Sequence, residues 1–461
     1  MEHTTKKWTI IGGGSVRAVF FAHSLARKAR QLHVGTLCLT DTDPERLRII
    51  GTLASYAASR EAPQVKVILE NDAAAAIRDS DYIVTTIRVG GDHSRVTDET
   101  LARKYGLLGQ ETTGVGGFFM AARSLPVLAE YCAMIRDLAP QAWVFNFTNP
   151  SGLVTQGLRD LGFDRVVGIC DTPNSTKLRI AQAMGYDNDR FYMEFYGLNH
   201  LSWAHKASYE GRDVLQDILN DPDLTKSVGE LGMFDSDFLK LLGQIPNEYL
   251  YYYYYRDQAL RNTLSAPEPR GIMVEENSRL LMEELRAADP EKDPEAALRL
   301  YLARMYRREA AYMSVETGGK QVLHVPKELK MPEGDGYAGI AMDFATAIET
   351  GIPRHVVLSV PNGGSISGLR DGDVVEITCL VDSDGAHPMS IGEVADPVYP
   401  LLRSVKAFER LAVEAILTRS KAKALEALIA HPLIGSYPLA KSILDEFLRD
   451  DPNAGAWTEV T

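Results

Sequence analysis

Short apolar runs alternate with amphipathic stretches along the first 170 residues. Trp8-Thr9-Ile10-Ile11 has the pattern of a buried strand, ends in Gly12-Gly13-Gly14-Ser15, and leads into a helical stretch to about Arg30. Thr36–Thr40 predicts a second strand ending at Asp41, with a helix from about Pro44 to Ser59. Val65–Leu69, Tyr82–Thr86, Trp143–Asn146 and Val166–Ile169 predict strands three to six. Apolar strands alternating with helices imply right-handed crossovers and a parallel sheet covered on both faces. The second half differs. Phe191 to Trp203 is strand-like and long helical patterns follow. Val356–Val360 and Val374–Val381, with Gly/Asp-rich connectors, predict an antiparallel patch. From about Leu401 the chain predicts two or three amphipathic helices. The change of pattern places a boundary near residue 195. It divides an α/β domain with a doubly wound parallel sheet (1–195) from a mixed α+β C-terminal domain (196–461) interlocked with it.

With 461 residues the chain can bury two sizeable cores. Its net charge of −13 gives no attraction to the phosphate field of nucleic acid, so no nucleic-acid partner is expected. Cys38, Cys132, Cys170 and Cys379 are scattered, unlike a disulfide framework. The N-terminus from Met1 to Lys7 is polar and lacks a signal-peptide pattern. No apolar run reaches the ~18–20 residues of a membrane span. A cytoplasmic location and no membrane partner are expected.

Chemistry concentrates where strands end. The glycines of Gly12-Gly13-Gly14-Ser15, between a strand and a helix, let a pyrophosphate approach the free N–H groups of the helix N-terminus. Arg17 stands where the usual dinucleotide fingerprint has its third glycine. Asp41 at the tip of the second strand suits ribose hydroxyls and favours NAD over NADP. A tight turn without ligand is the alternative. The segment from Arg88 to Gly117 follows the fourth strand, and Arg88 and Arg95 there could clamp an anion; a solvated connector is the bland reading. Asn149 suits sugar hydroxyls or the nicotinamide ribose, although Asn-Pro is also a common turn former. Cys170 and His200 could hold a divalent ion with positions left for substrate oxygens, or could be ordinary core residues.

Together these segments resemble glycoside hydrolase family 4, the NAD- and metal-dependent glycosidases. The resemblance is carried by Gly12–Ser15, GLLGQETTGVGGF (107–119), NFTNPSG (146–152), GICD (168–171), YGLNHLSW (196–203), PNEYLYYYYY (246–255) and HPLIGSYPLAKSILDEFL (431–448). It implies a Rossmann-type fold related to lactate and malate dehydrogenases. It also implies a route outside the two-carboxylate scheme: hydride loss from sugar C3, removal of the C2 proton, expulsion of the C1 substituent, water addition and return of the hydride. By motif, Cys170 and His200 are the ligands of Mn²⁺ or another divalent ion. Tyr249 is the base, with its register in the tyrosine run open by one or two positions. Asp171 is the acid toward the leaving group or a support for the metal site. NAD⁺ is the cofactor, held by Gly12, Gly13, Gly14, Ser15 and Asp41. The substrate is a phosphorylated sugar, with Arg95, Asn149 and Arg270 as its binding residues and Ser15 as a further hydroxyl. Phospho-β members usually carry Asn after the metal cysteine and phospho-α members Asp, as here, whereas the tyrosine run resembles the phospho-β branch. Arg17, in Val16-Arg17-Ala18, also departs from the family's Ser/Thr/Pro-rich continuation. The expected activity is 6-phospho-β-glucosidase. The alternatives are a 6-phospho-α-glucosidase, a family glycosidase for unphosphorylated sugars, a metal-independent 2-hydroxy-acid dehydrogenase and a non-catalytic NAD sensor. A homodimer or homotetramer is expected from the same resemblance.

Overall fold

Six parallel strands carry the first half: β1 (Lys6–Ile11), β2 (Val34–Thr40), β3 (Lys66–Leu69), β4 (Tyr82–Thr85), β5 (Trp143–Asn146) and β6 (Val166–Gly168). This computed structural model describes residues 5–320, 328–332 and 334–458, so the first four residues of the polar N-terminus lie outside it. The spatial order is β3-β2-β1-β4-β5-β6, the doubly wound arrangement of a Rossmann fold. Pairing is level at the carboxyl ends: Ile11 faces Thr40 and Thr85, Thr85 faces Asn146, and Asn146 faces Gly168. The residues that follow each strand therefore share one rim. Strand order reverses between β1 and β4, where open α/β sheets leave a crevice for ligands.

Successive strand residues point to opposite faces, and two cores result. Ile10, Val84, Phe145 and Val167 join one cluster; Ile11, Ile83, Val144 and Val166 join the other. The first face is covered by α1 (Ala18–Arg27), α2 (Pro44–Glu61) and the helix Gly336–Thr350. The second is covered by α5 (Val115–Leu138), α6 (Ser151–Asp160) and three C-terminal helices, 399–418, 421–430 and 437–450. The short α3 (Ala73–Ile77), α4 (Gly91–Lys104) and α7 (Thr172–Met184) complete the first half.

Helix α5 corrects one expectation. Its 24 residues are long and apolar enough to cross a membrane. Most of that surface is spent in the second core, and its Arg123 is buried in ion pairs with Asp98 and Asp451. The strand-like stretch 191–203 is likewise two strands: β7 (Phe191–Leu198) and β8 (Leu201–Tyr209) form an antiparallel hairpin turning at Asn199-His200. Short strands β9 (Arg212–Asp213) and β10 (Ile245–Pro246) pair with β8. The antiparallel patch, β11 (Arg354–Pro361), β12 (Val374–Asp382) and β13 (Gly385–Pro388), is not a separate sheet. Ser359 of β11 pairs with Gly168 of β6, so chain from beyond residue 195 completes a nine-stranded sheet. Phe195 N donates to Thr378 Oγ1 at 2.9 Å, tying the hairpin onto β12.

Candidate active site

A cavity of about 700 Å³ opens at the carboxyl ends of β1, β4, β5 and β6. Gly12, Gly14, Ser15 and Asp41 line one part of it, and Asn149, Cys170, Asp171, His200 and Tyr249 line more, with Arg95 and Arg270 also on the wall. Of the site residues expected from sequence, Gly13 alone does not line it. A Cβ on Gly13 would come within 2.7 Å of Leu39 Cβ, so this glycine lets the loop pack on β2.

The glycine loop is shaped for close approach. Gly12 has φ +95°, and a Cβ there would meet Thr86 O at 2.5 Å. Gly14 N donates to Asp41 Oδ2 at 2.9 Å, and Asp43 N donates to Asp41 Oδ1 at 3.0 Å, so one carboxylate pins the loop to the end of β2. No acidic residue occupies the first turn of α1, which leaves its N-terminal N–H groups to an anion. These residues fit a dinucleotide.

Cys170 follows β6, and its thiol donates to Thr172 Oγ1 at 3.7 Å. Burial, then Glu376 and Asp171, push that thiol well above its ordinary range, so a cation is needed to make it a thiolate. His200 sits in the hairpin turn at φ +63°. Its Nδ1 lies 3.1 Å from Thr112 Oγ1, whose own proton goes to Gln110 Oε1 at 3.0 Å. Thr112 must then accept from Nδ1–H, which leaves the Nε2 lone pair for a ligand. Burial lowers His200 to about 4, so the ring is neutral at physiological pH. A thiol and a neutral imidazole on one cavity wall fit a borderline divalent ion. No group of three metal-ligating side chains occurs among the described residues, so further ligands would come from solvent or substrate oxygens.

Tyr249 stacks on the His200 ring, with centroids 3.7 Å apart and planes within 1°. It lies in the 3-10 turn Glu248–Leu250, where its N–H donates to Asn247 Oδ1 at 3.0 Å. Burial, then Glu248 and Glu111, raise its phenol well above 10, the direction a positive charge nearby would reverse. The rest of the tyrosine run packs elsewhere. Tyr251 stacks on Tyr255 at 5.0 Å, Tyr252 donates to Glu316, and Tyr254 accepts from Trp203 Nε1. Tyr249 is the one tyrosine of positions 249–255 on the cavity wall. Burial raises the Asp171 carboxyl against the pull of Arg17.

Several lining residues escaped the sequence reading. Glu111 accepts from Arg88 at 2.6 Å and pairs with Arg95 at 3.1 Å; burial would raise its carboxyl, but these arginines hold it well below the usual range. Glu248 is pushed up to about 8 by burial and by Glu230, which itself pairs with Arg179. Arg308 and Tyr312 come from the end of the helix Pro294–Ala310 and the turn after it. Glu111 and Glu248 fall inside quoted motifs, GQETTG and PNEY. Arg308 and Tyr312 carry no local signature.

Residues 7–186 match the model of family 4 glycosyl hydrolases, and residues 195–434 match the model of that family's C-terminal domain. A probable 6-phospho-beta-glucosidase of Bacillus subtilis is 31% identical over 96% of this chain and 95% of its own. The 6-phospho-beta glucosidase of Thermotoga maritima, solved with manganese, NAD⁺ and glucose-6-phosphate, superposes with a TM-score of 0.80. It is 29% identical, with 96% of this chain and 98% of that one covered. A lactate dehydrogenase from a deep-sea metagenome library shares the fold alone, at 13% identity and a TM-score of 0.53 over 90% of this chain and 99% of that one.

Proposed function

The chain belongs to family 4 of the glycosyl hydrolases, and from that premise we propose that it hydrolyses 6-phosphoglycosides, 6-phospho-β-glucosides foremost, with NAD⁺ and a divalent metal such as Mn²⁺. The observation that carries the reading is the meeting, in one cavity, of the glycine loop, Cys170, His200 and a tyrosine stacked on that histidine. When bound, NAD⁺ would supply reversible hydride chemistry and the metal Lewis acidity toward the sugar oxygens. Cys170 and His200 would hold the metal. Tyr249 takes the C2 proton, and Asp171 gives a proton to the departing oxygen. Gly12, Gly13, Gly14, Ser15 and Asp41 seat the nucleotide, while Arg95, Asn149 and Arg270 bind and orient the phosphosugar.

Asp171 favours a second reading, 6-phospho-α-glucosidase, by its motif position. A panel of α- and β-linked nitrophenyl glucosides, with and without 6-phosphate, separates the two. Cleavage is expected to require NAD⁺ and Mn²⁺, to stop with chelator, and to leave no net NADH. Solvent deuterium is expected at C2 of the product. Undiminished cleavage by metal- and NAD-stripped protein sinks the reading, and stoichiometric NADH accumulation would mark a dehydrogenase instead. The two domains are proposed to meet near residue 195. All four cysteines are buried thiols, in keeping with a reducing cytoplasm. Family resemblance supports a homodimer or homotetramer, which light scattering would check.

A further inference from the structure

We infer that Glu376, which does not line the cavity, is a positioning residue that sets His200 and Tyr249 against one another. The inference rests on the roles proposed for those two residues and deepens them. Their rings stack, yet they come from different elements: His200 from the β7–β8 turn and Tyr249 from the 3-10 turn after β10. The β7–β8 turn is poorly specified by its own backbone. Two-residue hairpin turns that suit the twist of the strands need positive φ at the first turn position, alone or together with the second. Here the positive φ, +63°, falls on the second residue, His200. A side chain in that region persists where its surroundings hold it there.

Glu376 supplies that hold. It stands on β12, buried. Its Oε2 accepts at 3.0 Å from Nδ2 of Asn199, the residue before His200, and Asn199 Oδ1 accepts from Gly152 N at 3.4 Å. Its Oε1 accepts at 2.8 Å from Oγ of Ser202, just beyond the turn. The turn is therefore clasped on both sides of the histidine. Ser202 passes the constraint on. Its hydroxyl accepts from Asn247 Nδ2 at 3.3 Å and its carbonyl from Asn247 N at 2.8 Å, while Asn247 Oδ1 accepts from Tyr249 N at 3.0 Å. One carboxylate thus reaches the backbone of Tyr249 through the side chains of Ser202 and Asn247. It also fixes the direction of each link, because an ionised carboxyl only accepts. An amide in its place must also donate. Toward Ser202, that gives Oγ a second donor and leaves the serine proton without its acceptor. Toward Asn199, it sets donor against donor, or turns the asparagine so that Nδ2 meets Gly152 N.

The test compares wild type, Glu376→Gln, Asn199→Asp and the double variant at pH 8, where the Glu376 carboxyl, pushed up to about 7 by burial, is mostly ionised. The Mn²⁺ Kd is read by electron paramagnetic resonance with NAD⁺ present, and kcat with the nitrophenyl 6-phosphoglucoside that wild type cleaves, at saturating Mn²⁺. Glu376→Gln is expected to raise the Mn²⁺ Kd and lower kcat, each about 10–100-fold, with the NAD⁺ Kd unchanged. Asn199→Asp alone sets two carboxylates face to face and should also be impaired. In the double variant the new carboxylate at 199 accepts from the new amide at 376 and from Gly152 N, and the amide oxygen still accepts from Ser202. Every link is restored, one of them reversed, so Mn²⁺ Kd and kcat should return to within about threefold of wild type. A general loss of packing would instead make the two substitutions add. Each variant is assayed well below its own Tm, so a lowered Tm in Glu376→Gln leaves the decision with the double variant. Wild-type Mn²⁺ Kd and kcat in Glu376→Gln, or a double variant no better than Glu376→Gln, overturns the inference. A wild type that cleaves without Mn²⁺ overturns the proposed metal site itself.

Discussion

Thr112→Val tests whether His200 is a metal ligand without touching the ligand. The substitution conserves shape and removes one hydroxyl. Gln110 Oε1 loses one donor but keeps two, the backbone N–H groups of Thr112 at 2.6 Å and Thr113 at 2.7 Å, so its loop has little reason to move. The loss falls on His200, whose Nδ1–H has Thr112 Oγ1 as its acceptor at 3.1 Å. An unsatisfied N–H in this buried place costs about 1–3 kcal/mol. The ring escapes that cost by moving its proton to Nε2, which removes the lone pair a metal needs. Supporting hydrogen bonds of this kind are worth about 10–100-fold in metal affinity, or about 1.4–2.8 kcal/mol. The expected outcome is a Mn²⁺ dissociation constant raised by that factor. It would be read from free Mn²⁺ by electron paramagnetic resonance in NAD⁺-saturated protein, with most of kcat restored at saturating Mn²⁺. Because His200 titrates near 4, proton competition at its ring contributes nothing between pH 6 and 8, so the shift should be flat across that range. An unchanged Mn²⁺ dissociation constant refutes the assigned tautomer and, with it, the ligand role of Nε2.

Tyr249→Phe keeps the ring stack on His200 and the backbone bond to Asn247, so Tm should hold while kcat falls about 10²–10⁴-fold in a glucoside cleavage assay. Gly12→Ala places a Cβ 2.5 Å from Thr86 O at φ +95°, a strain of about 1–3 kcal/mol; NAD⁺ affinity by fluorescence titration should drop tenfold or more. His431 is buried, accepts from Leu433 N at 3.2 Å through Nδ1, and is lowered by burial to about 3. The unfolded ring, near 6.5, then binds protons that the folded ring refuses, so this residue's contribution to stability is full above pH 6.5 and is lost as pH falls toward 3. Denaturant melts should show the stability gap between wild type and His431→Asn shrinking by a few kcal/mol at most between pH 7 and 4; a constant gap contradicts the neutral buried ring.

How far the chain could be read depended on the range of the interaction concerned. β1 to β6 were legible because each is a local apolar run bounded by glycine or polar residues, and their alternation dictates a parallel sheet wherever the chain is placed. The glycine loop, Asp41, Cys170 and Asp171 were legible for the same reason: each ends a strand, and strand ends share a rim. The hairpin turn at Asn199-His200 was hidden, since Leu198 and Leu201 on either side keep the run apolar across it. The attachment of β11 to β6 was also hidden. It rests on Ser359 meeting Gly168, and no local pattern declares a pairing that distant. Charge was the least legible quantity. Arg95 and Arg308 are both arginines in helical stretches, and only coordinates reveal that Glu99 and Glu111 pair directly with one while the other lines the cavity without a hydrogen bond or ion pair to a described residue. A motif identifies which guanidiniums are near a site. The distribution of their counter-charges decides which of them is still available to bind, and that distribution is assembled from α4, the 107–119 segment and the helices 270–288 and 294–310 only after the chain has folded.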